Sequence, residues 1–157
     1  MDKVALFAAV EQEVRSRLAA LEQVQKQARS GTDVAHERPT NRGERAAVTT
    51  QGYLAHGAAQ RVAELTDTLH LLRDVPPTSR TRVATGALVE VERREKTAWM
   101  LVLPGGVGQT LEHAGQAIQV VSPHAPLARA LFGLEADEEA ELRTPEGLDV
   151  VVVLQVR

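Results

Sequence analysis

The first 75 residues carry apolar side chains at the spacing expected of two long helices. Asp2 is a suitable N-cap for the first helix, which we expect to end at Arg29. Arg17 interrupts a stripe that otherwise alternates three- and four-residue steps, as in a coiled coil. Its apolar members are Phe7, Val10, Val14, Leu21 and Val24.

The second helix is predicted from about residue 46 to Arg73. Gly52 and Gly57 lower its helix propensity by about 1 kcal/mol each, which predicts first turns that are either loose or closely packed on a neighbour. Its stripe has the same spacing and consists of Ala55, Ala58, Val62, Leu65, Leu69 and Leu72. Two such stripes predict an antiparallel coiled-coil arm over residues 1–75, with a polar tip at about 30–45 where Gly31, Pro39 and Gly43 break the helices. A helical subdomain folded back on the rest of the chain is the alternative.

Beyond Pro76 and Pro77 the apolar pattern changes to the alternation typical of strands. Proline stops a helix, so we place a domain boundary at Val75–Ser79. Five strands are predicted, at Ala87–Glu92, Thr97–Leu103, Gln116–Val121, Glu139–Thr144 and Leu148–Val156. A short helix, Pro126–Phe132, ends before Gly133, and Pro145–Gly147 forms a turn. Residues 80–157 are therefore predicted to form a small domain of bent antiparallel sheet plus one helix, which makes the fold class α+β.

Composition narrows the function classes. A net charge of −3 gives no broad attraction to nucleic acid, so we expect no sequence-specific binding to it. The chain has no cysteine and no run of roughly 20 apolar residues that could span a bilayer. We expect a cytoplasmic monomer with no membrane association.

Enzyme motifs are weak. The segment Gly105–Gly108 is glycine-rich but lacks the Lys-Ser or Lys-Thr of a phosphate loop, so a turn is the better interpretation. The five histidines show no spacing typical of zinc, and no serine lies in a nucleophile elbow. We therefore predict no catalytic residues and no metal site.

The segment from Val120 to Gly133 resembles the Ser-Pro-Leu-x-x-Ala-Leu-Leu-Gly signature of the bacterial GreA/GreB transcription elongation factor family. His124 and Ala125 are an insertion between its Ser-Pro and Pro-Leu elements. Further similarities follow in the family's order, at Val83, Gly86–Val91, Asp137, Leu142 and Pro145–Gly147.

This resemblance implies an FKBP-like fold for residues 80–157 and an arm that enters the secondary channel of RNA polymerase. It implies a transcription regulator that modulates elongation and is not itself an enzyme. The candidates for contact with the polymerase are Ser122, Pro123, Pro126, Leu127 and Arg129.

At the arm tip of cleavage-stimulating members, two carboxylates help to hold a magnesium ion of the polymerase active centre. The protein needs no cofactor of its own; that shared magnesium is the one ion the resemblance implies. The candidate tip residues of this chain are Asp33, Glu37, Thr40, Asn41 and Glu44. Thr40 stands where the second carboxylate belongs, and a neutral hydroxyl is a poor magnesium ligand, so we predict weak or absent stimulation of transcript cleavage.

Three alternatives remain open at this point. The first is an inhibitory channel binder, as Rnk-like and anti-Gre paralogues are. The second is a peptidyl-prolyl isomerase or chaperone, although such sites are lined with aromatic residues and this domain has only Trp99 and Phe132. The third is a generic coiled-coil interaction module.

Overall fold

The structure is a computed structural model that describes residues 2–33, 42–105 and 108–157, with residues 31–33, 42–51, 54 and 55 described by their backbone only. Its contacts divide the chain into two compact units. The helical unit is Gln12–Leu69; the sheet unit combines Met1–Glu11 with His70–Arg157. The N-terminal end of the first long helix and the C-terminal end of the second therefore belong to the same unit as the sheet.

Helix α1 spans Lys3–Asp33 and helix α2 spans Arg42–Arg73. The predicted cap is confirmed, because Asp2 Oδ1 accepts hydrogen bonds from the amides of Val4 (3.0 Å) and Ala5 (3.3 Å). Within the described residues, no helix is long and apolar enough to cross a membrane.

Both helices extend further toward the tip than predicted. Gly31 does not end α1, since a glycine inside a helix costs only about 1 kcal/mol and, unlike proline, keeps its amide donor. Gly43 lies in the first turn of α2, where backbone amides have no partner within the helix in any case. Pro39 lies outside the described residues.

The predicted stripe of α2 is confirmed where its side chains are described. In the helical unit Ala58, Val62 and Leu65 are half-buried and Leu69 is buried. In the described part of the chain, no atom outside the helix's own neighbouring backbone lies within 4 Å of a β-carbon placed on Gly52 or Gly57, so neither glycine is closely packed on another described segment.

The stripe of α1 was predicted wrongly at its far end. Val24 is 55% exposed, whereas Gln25 and Ala28 are half-buried. In a straight α-helix, residues seven positions apart differ in direction by about 20°. A stripe continued from the first turns at a strict seven-residue repeat therefore moves off the covered face by the third heptad.

The sheet has six strands, in the order β3-β4-β2-β1-β6-β5. The strands, with one intervening helix, are β1 (Leu88–Arg93), β2 (Lys96–Val102), β3 (Thr110–His113), β4 (Gln116–Val121), α3 (Pro126–Leu131), β5 (Glu139–Thr144) and β6 (Gly147–Val156). Strand β3 was not predicted. The sheet is mixed and not purely antiparallel, because β2 and β4 pair in parallel.

One face of the sheet carries α3 and the main hydrophobic core. Ala128 and Leu131 of α3 are fully buried there together with Val89, Val151 and Val153. Because directly paired residues share a face, the register assigns a second buried set to the opposite face. It consists of Leu88, Trp99, Leu101, Ile118 and Val120.

The helix ends of the sheet unit add Leu6, Val10 and Leu72, all buried. They also add Lys3, which is only 9% exposed. Its Nζ donates hydrogen bonds to the carbonyl oxygens of Thr78 and, at 2.8 Å, Arg157. Burial and repulsion from Arg80 lower the pKa of Lys3 to about 8.

An ion-pair cluster fixes the turn between β1 and β2. Arg94 and Glu95 both have positive φ, as a tight hairpin turn requires. The Arg94 guanidinium lies 2.9 Å from Glu146 and 2.9 Å from Asp149, and Arg93 also bonds to Asp149. The hydrogen bond from Arg93, followed by the charge of both arginines, lowers the pKa of the Asp149 carboxyl.

Candidate functional site

An open groove of about 640 Å³ lies beside α3 in the sheet unit. We call it the α3 groove; its walls are Leu71, Thr85, Pro104, Pro123, His124, Arg129 and Phe132. Leu71 is 50% exposed and Phe132 is 47% exposed, so two large apolar side chains reach solvent at this one place. Exposed apolar side chains gathered in a concave surface are typical of binding sites.

The loop that leads from β4 into α3 positions one wall of the groove. The amide of Ala125 donates to the Ser122 carbonyl (2.9 Å), and the amide of His124 donates to Ser122 Oγ (3.2 Å). Pro126 then occupies the first turn of α3, where its missing amide costs nothing. The loop therefore presents Pro123 and His124 in a fixed orientation.

The C-terminal end of α3 positions the other wall. Gly133 takes φ +88°, a conformation that favours glycine. Its amide donates to the Val83 carbonyl, and the Val83 amide donates to the Leu134 carbonyl, both at 2.8 Å. These bonds hold Phe132 at the rim while Leu131 stays in the core.

Arg129 supplies the charge of the α3 groove. It is exposed and lines the groove beside Phe132. Among the ion pairs of the described residues, none involves Arg129. Apolar walls beside an unpaired guanidinium suit a polypeptide that offers apolar side chains next to a carboxylate.

The five predicted contact candidates fall in different surroundings. Pro123 and Arg129 line the groove. Ser122 is half-buried and shapes the loop, Pro126 is exposed, and Leu127 packs partly against the core.

Neither Leu71 nor Phe132 was singled out from the sequence as a surface residue of a site. Leu71 carried a signal, because it is an apolar residue out of phase with the stripe positions Leu69 and Leu72. Phe132 follows the last residue of α3 and turns outward with the chain reversal at Gly133, which local periodicity does not reveal.

Of the five tip candidates, Glu37, Thr40 and Asn41 lie outside the described residues. Asp33 is the last residue of α1, and Glu44 lies in the first turn of α2. Among the residues that the structure describes, no group of three His, Asp or Glu side chains could hold a metal ion.

Comparison with known proteins identifies the family. The model of the family "Transcription elongation factor, GreA/GreB, C-term" matches residues 78–157. Transcription elongation factor GreA of Nautilia profundicola is 34% identical over 96 residues, which cover 58% of this chain and 55% of that protein. The chain thus spans about half the length of the curated relative that it matches.

Two solved structures are also similar. The GreA factor homolog 1 (Gfh1) protein of Thermus thermophilus matches 98% of this chain and 93% of its own, with 15% identity and a TM-score of 0.38. A GreA/GreB elongation factor from Nitrosomonas europaea matches 54% of this chain and 64% of its own, with 22% identity and a TM-score of 0.35.

The fold is a helical hairpin followed by a mixed-sheet domain that carries an open groove beside α3. Because the family model covers the whole sheet-forming half, the chain belongs to the GreA/GreB transcription elongation factor family.

Proposed function

We propose that this protein binds RNA polymerase and modulates elongation, using the α3 groove as its anchor and the helical unit as an arm in the secondary channel. Family membership supports a transcription role. The observation that carries the anchoring step is the groove itself, which joins exposed Phe132 and Leu71 to the free guanidinium of Arg129.

The chemistry of the groove favours a protein ligand. Phe132 and Leu71 can bury apolar surface worth about 25 cal/mol per Å², and Arg129 can pair with a carboxylate of the polymerase. The Ser122–His124 loop, which carries the family signature, forms the same wall. The region most similar to the family is therefore also the region with a binding surface.

The direction of the effect depends on the arm tip. Thr40 replaces one of the two carboxylates that the family uses to share magnesium with the polymerase. We propose that the protein occupies the channel with little or no stimulation of transcript cleavage, and that it competes there with cleavage-stimulating relatives.

An FKBP-type isomerase is less well supported. The site of such an isomerase is lined with aromatic side chains, so Trp99 and Phe132 would have to line one pocket. Trp99 is buried on the sheet face opposite α3, where the Arg157 guanidinium lies 5.6 Å from its ring centre. Phe132 lies at the end of α3.

The test is affinity for purified core RNA polymerase, measured by fluorescence anisotropy with the labelled full chain. Arg129→Glu and Phe132→Ser should each weaken binding about tenfold or more, because they reverse the charge or remove the apolar anchor. The matched control is Arg143→Glu, an exposed arginine that the β5–β6 register places on the opposite sheet face.

Circular dichroism must show that each variant is folded. If both groove variants bind like the natural protein, the groove is not the anchor. If the natural protein does not bind core polymerase at all, the proposed function itself is wrong.

A further inference from the structure

Strand β6 exposes a row of aliphatic side chains on the sheet face opposite α3. Its core-facing residues Val151 and Val153 are fully buried, and the residues between them point the other way. Leu148 is 58% exposed, Val150 is 45% exposed and Val152 is half-buried. We call Leu148, Val150 and Val152 the aliphatic row.

The aliphatic row lies on the uncovered half of that face. Toward β2 and β4 the same face holds Trp99, Leu101 and Ile118, which are buried. Strand propensity explains valine at a solvent-facing position, but it does not explain leucine there. A solvent-facing row in an ordinary domain would be polar.

Acidic residues border the aliphatic row on both sides. On β5, Glu139 is paired with Val152 and Glu141 with Val150. On β1, Glu92 is paired with Val152, whereas Glu90 is paired with Gln155, beyond the end of the row. Side chains paired in this way have β-carbons about 5 Å apart, so Glu92, Glu139 and Glu141 lie against the row.

These carboxylates are not neutralised by neighbours in the described part of the chain. None of Glu92, Glu139 and Glu141 takes part in its ion pairs. Two arginines on this face are exceptions to the acidic character. Arg143 is paired with Leu148 at one end of the row, and the Arg157 guanidinium lies beside Trp99.

The dimensions of this surface match an α-helix. Leu148 and Val152 are four positions apart on the strand, about 14 Å, which corresponds to about two and a half helical turns. The acidic borders lie one strand to either side of β6, so they are roughly 10 Å apart, close to the diameter of a helix.

We infer that the aliphatic row and its acidic borders form a second docking surface, for a partner protein that presents an amphipathic helix with an apolar stripe flanked by lysine or arginine. The apolar stripe would cover the row while the cations pair with the acids on both sides. This surface is distinct from the α3 groove, because α3 and the aliphatic row lie on opposite faces of the sheet.

The charge pattern argues against other macromolecules. Phosphate groups of nucleic acids or anionic lipids would be repelled by both acidic borders. A second copy of this chain would have to bring a basic helix with a matching stripe, because the borders of its own row are acidic and would repel these ones.

The probe is a 15-residue helical peptide with leucines at three- and four-residue steps and lysines on both flanks. Its binding to the full chain would be followed by NMR chemical-shift perturbation at low and high salt. We expect shifts centred on Val150 and its neighbours, and an affinity that falls about tenfold when salt is raised, because exposed charge pairs are screened. A peptide with glutamate in place of every lysine should not bind.

Two variants test the row and its borders separately. Leu148→Ser with Val150→Thr should weaken peptide binding about tenfold, and both positions face solvent, so the fold should be retained. Glu139→Lys with Glu141→Lys should abolish binding of the lysine peptide. Phe132→Ser in the α3 groove is the control and should leave the peptide affinity unchanged.

Equal binding of both peptides, or shifts that map away from β6, would overturn the inference. So would a dimer in analytical ultracentrifugation that the Leu148→Ser, Val150→Thr variant dissociates, since a second copy would then be the occupant. Loss of polymerase binding bears on the proposed function and not on the aliphatic row, so the two proposals fail independently.

Discussion

Gly86 and Val75 approach each other so closely that a β-carbon on Gly86 would lie 2.8 Å from Val75 Cγ1. Gly86 also has φ +87°, and its amide donates to the Val102 carbonyl at 2.7 Å. The contact joins the segment after α2 to the start of the sheet, so glycine is required there for both space and conformation.

We expect Gly86→Ala to lower the free energy of unfolding by about 2 to 4 kcal/mol, from backbone strain and the clash with Val75. Urea denaturation measures this. Adding Val75→Ala to this variant should recover the part of the lost unfolding free energy that is due to the clash. Gly57→Ala is the control: it lies in α2 with open space around it, so it should stabilise by up to about 1 kcal/mol.

Lys3 should make stability depend on pH in the alkaline range. Its pKa is lowered from 10.5 to about 8 in the folded protein. Between these values the unfolded chain binds more protons, so the contribution of Lys3 to stability rises as pH increases from 8 to 10.5. The unfolding free energy of the natural protein minus that of Lys3→Met should therefore grow over this range. The corresponding difference in unfolding free energy for Lys26→Met, at an exposed lysine, should not change over this pH range. If both differences changed equally with pH, the effect assigned to the burial of Lys3 would be contradicted.

Asp149 should make the stability of the protein depend on pH in the acid range. Its folded pKa is lowered below the ordinary 3.8, first by the hydrogen bond from Arg93. Its stabilisation is therefore present above pH 3.8 and is lost as pH falls below that value. We expect Asp149→Asn to be less stable than the natural protein at about pH 6, with a gap that narrows toward about pH 2. Asp67→Asn, at an exposed position on α2, should show no such convergence in acid denaturation.

The boundary at Val75–Ser79 remains a prediction. Residues 76–79 are exposed and outside any helix or strand, so a broad-specificity protease should cut there. Fragment 80–157 should fold but be less stable than the intact chain, because it loses Lys3 and Leu6 from the sheet unit. A random-coil circular dichroism spectrum of the fragment would show that the helix ends are essential to the domain.

The arm tip prediction rests on sequence alone. Thr40→Glu would restore an acid pair with Glu37 at a three-residue spacing and should raise magnesium-dependent cleavage by backtracked polymerase. Thr40→Gln has a similar size without the charge and should not. If the natural protein stimulated strong cleavage and Glu37→Ala did not reduce it, Asp33 and Glu44 would be the candidates for the acting carboxylates.

The sequence by itself determined the elements with strong local signals. The stripe of α2 follows from its spacing, the cap at Asp2 from its side chain, and the turn at Pro145–Gly147 from residues that favour reversal. Strands β4 and β5 have their predicted bounds. The signature around Ser122 indicated the family, and the wall of the α3 groove lies there. All of these depend on neighbours within a few residues along the chain.

Only the tertiary structure decided features that depend on distant partners. Strand β3 is four residues long with mixed polarity, and its pairing with β4 makes it a strand. The parallel β2–β4 pairing, the outward turn of Phe132 and the burial of Lys3 follow from non-local packing. The aliphatic row looks like any alternating strand in the sequence. Which of its two faces is covered depends on the whole sheet and the helix ends, because burial is a property of the assembled surface and not of the local pattern.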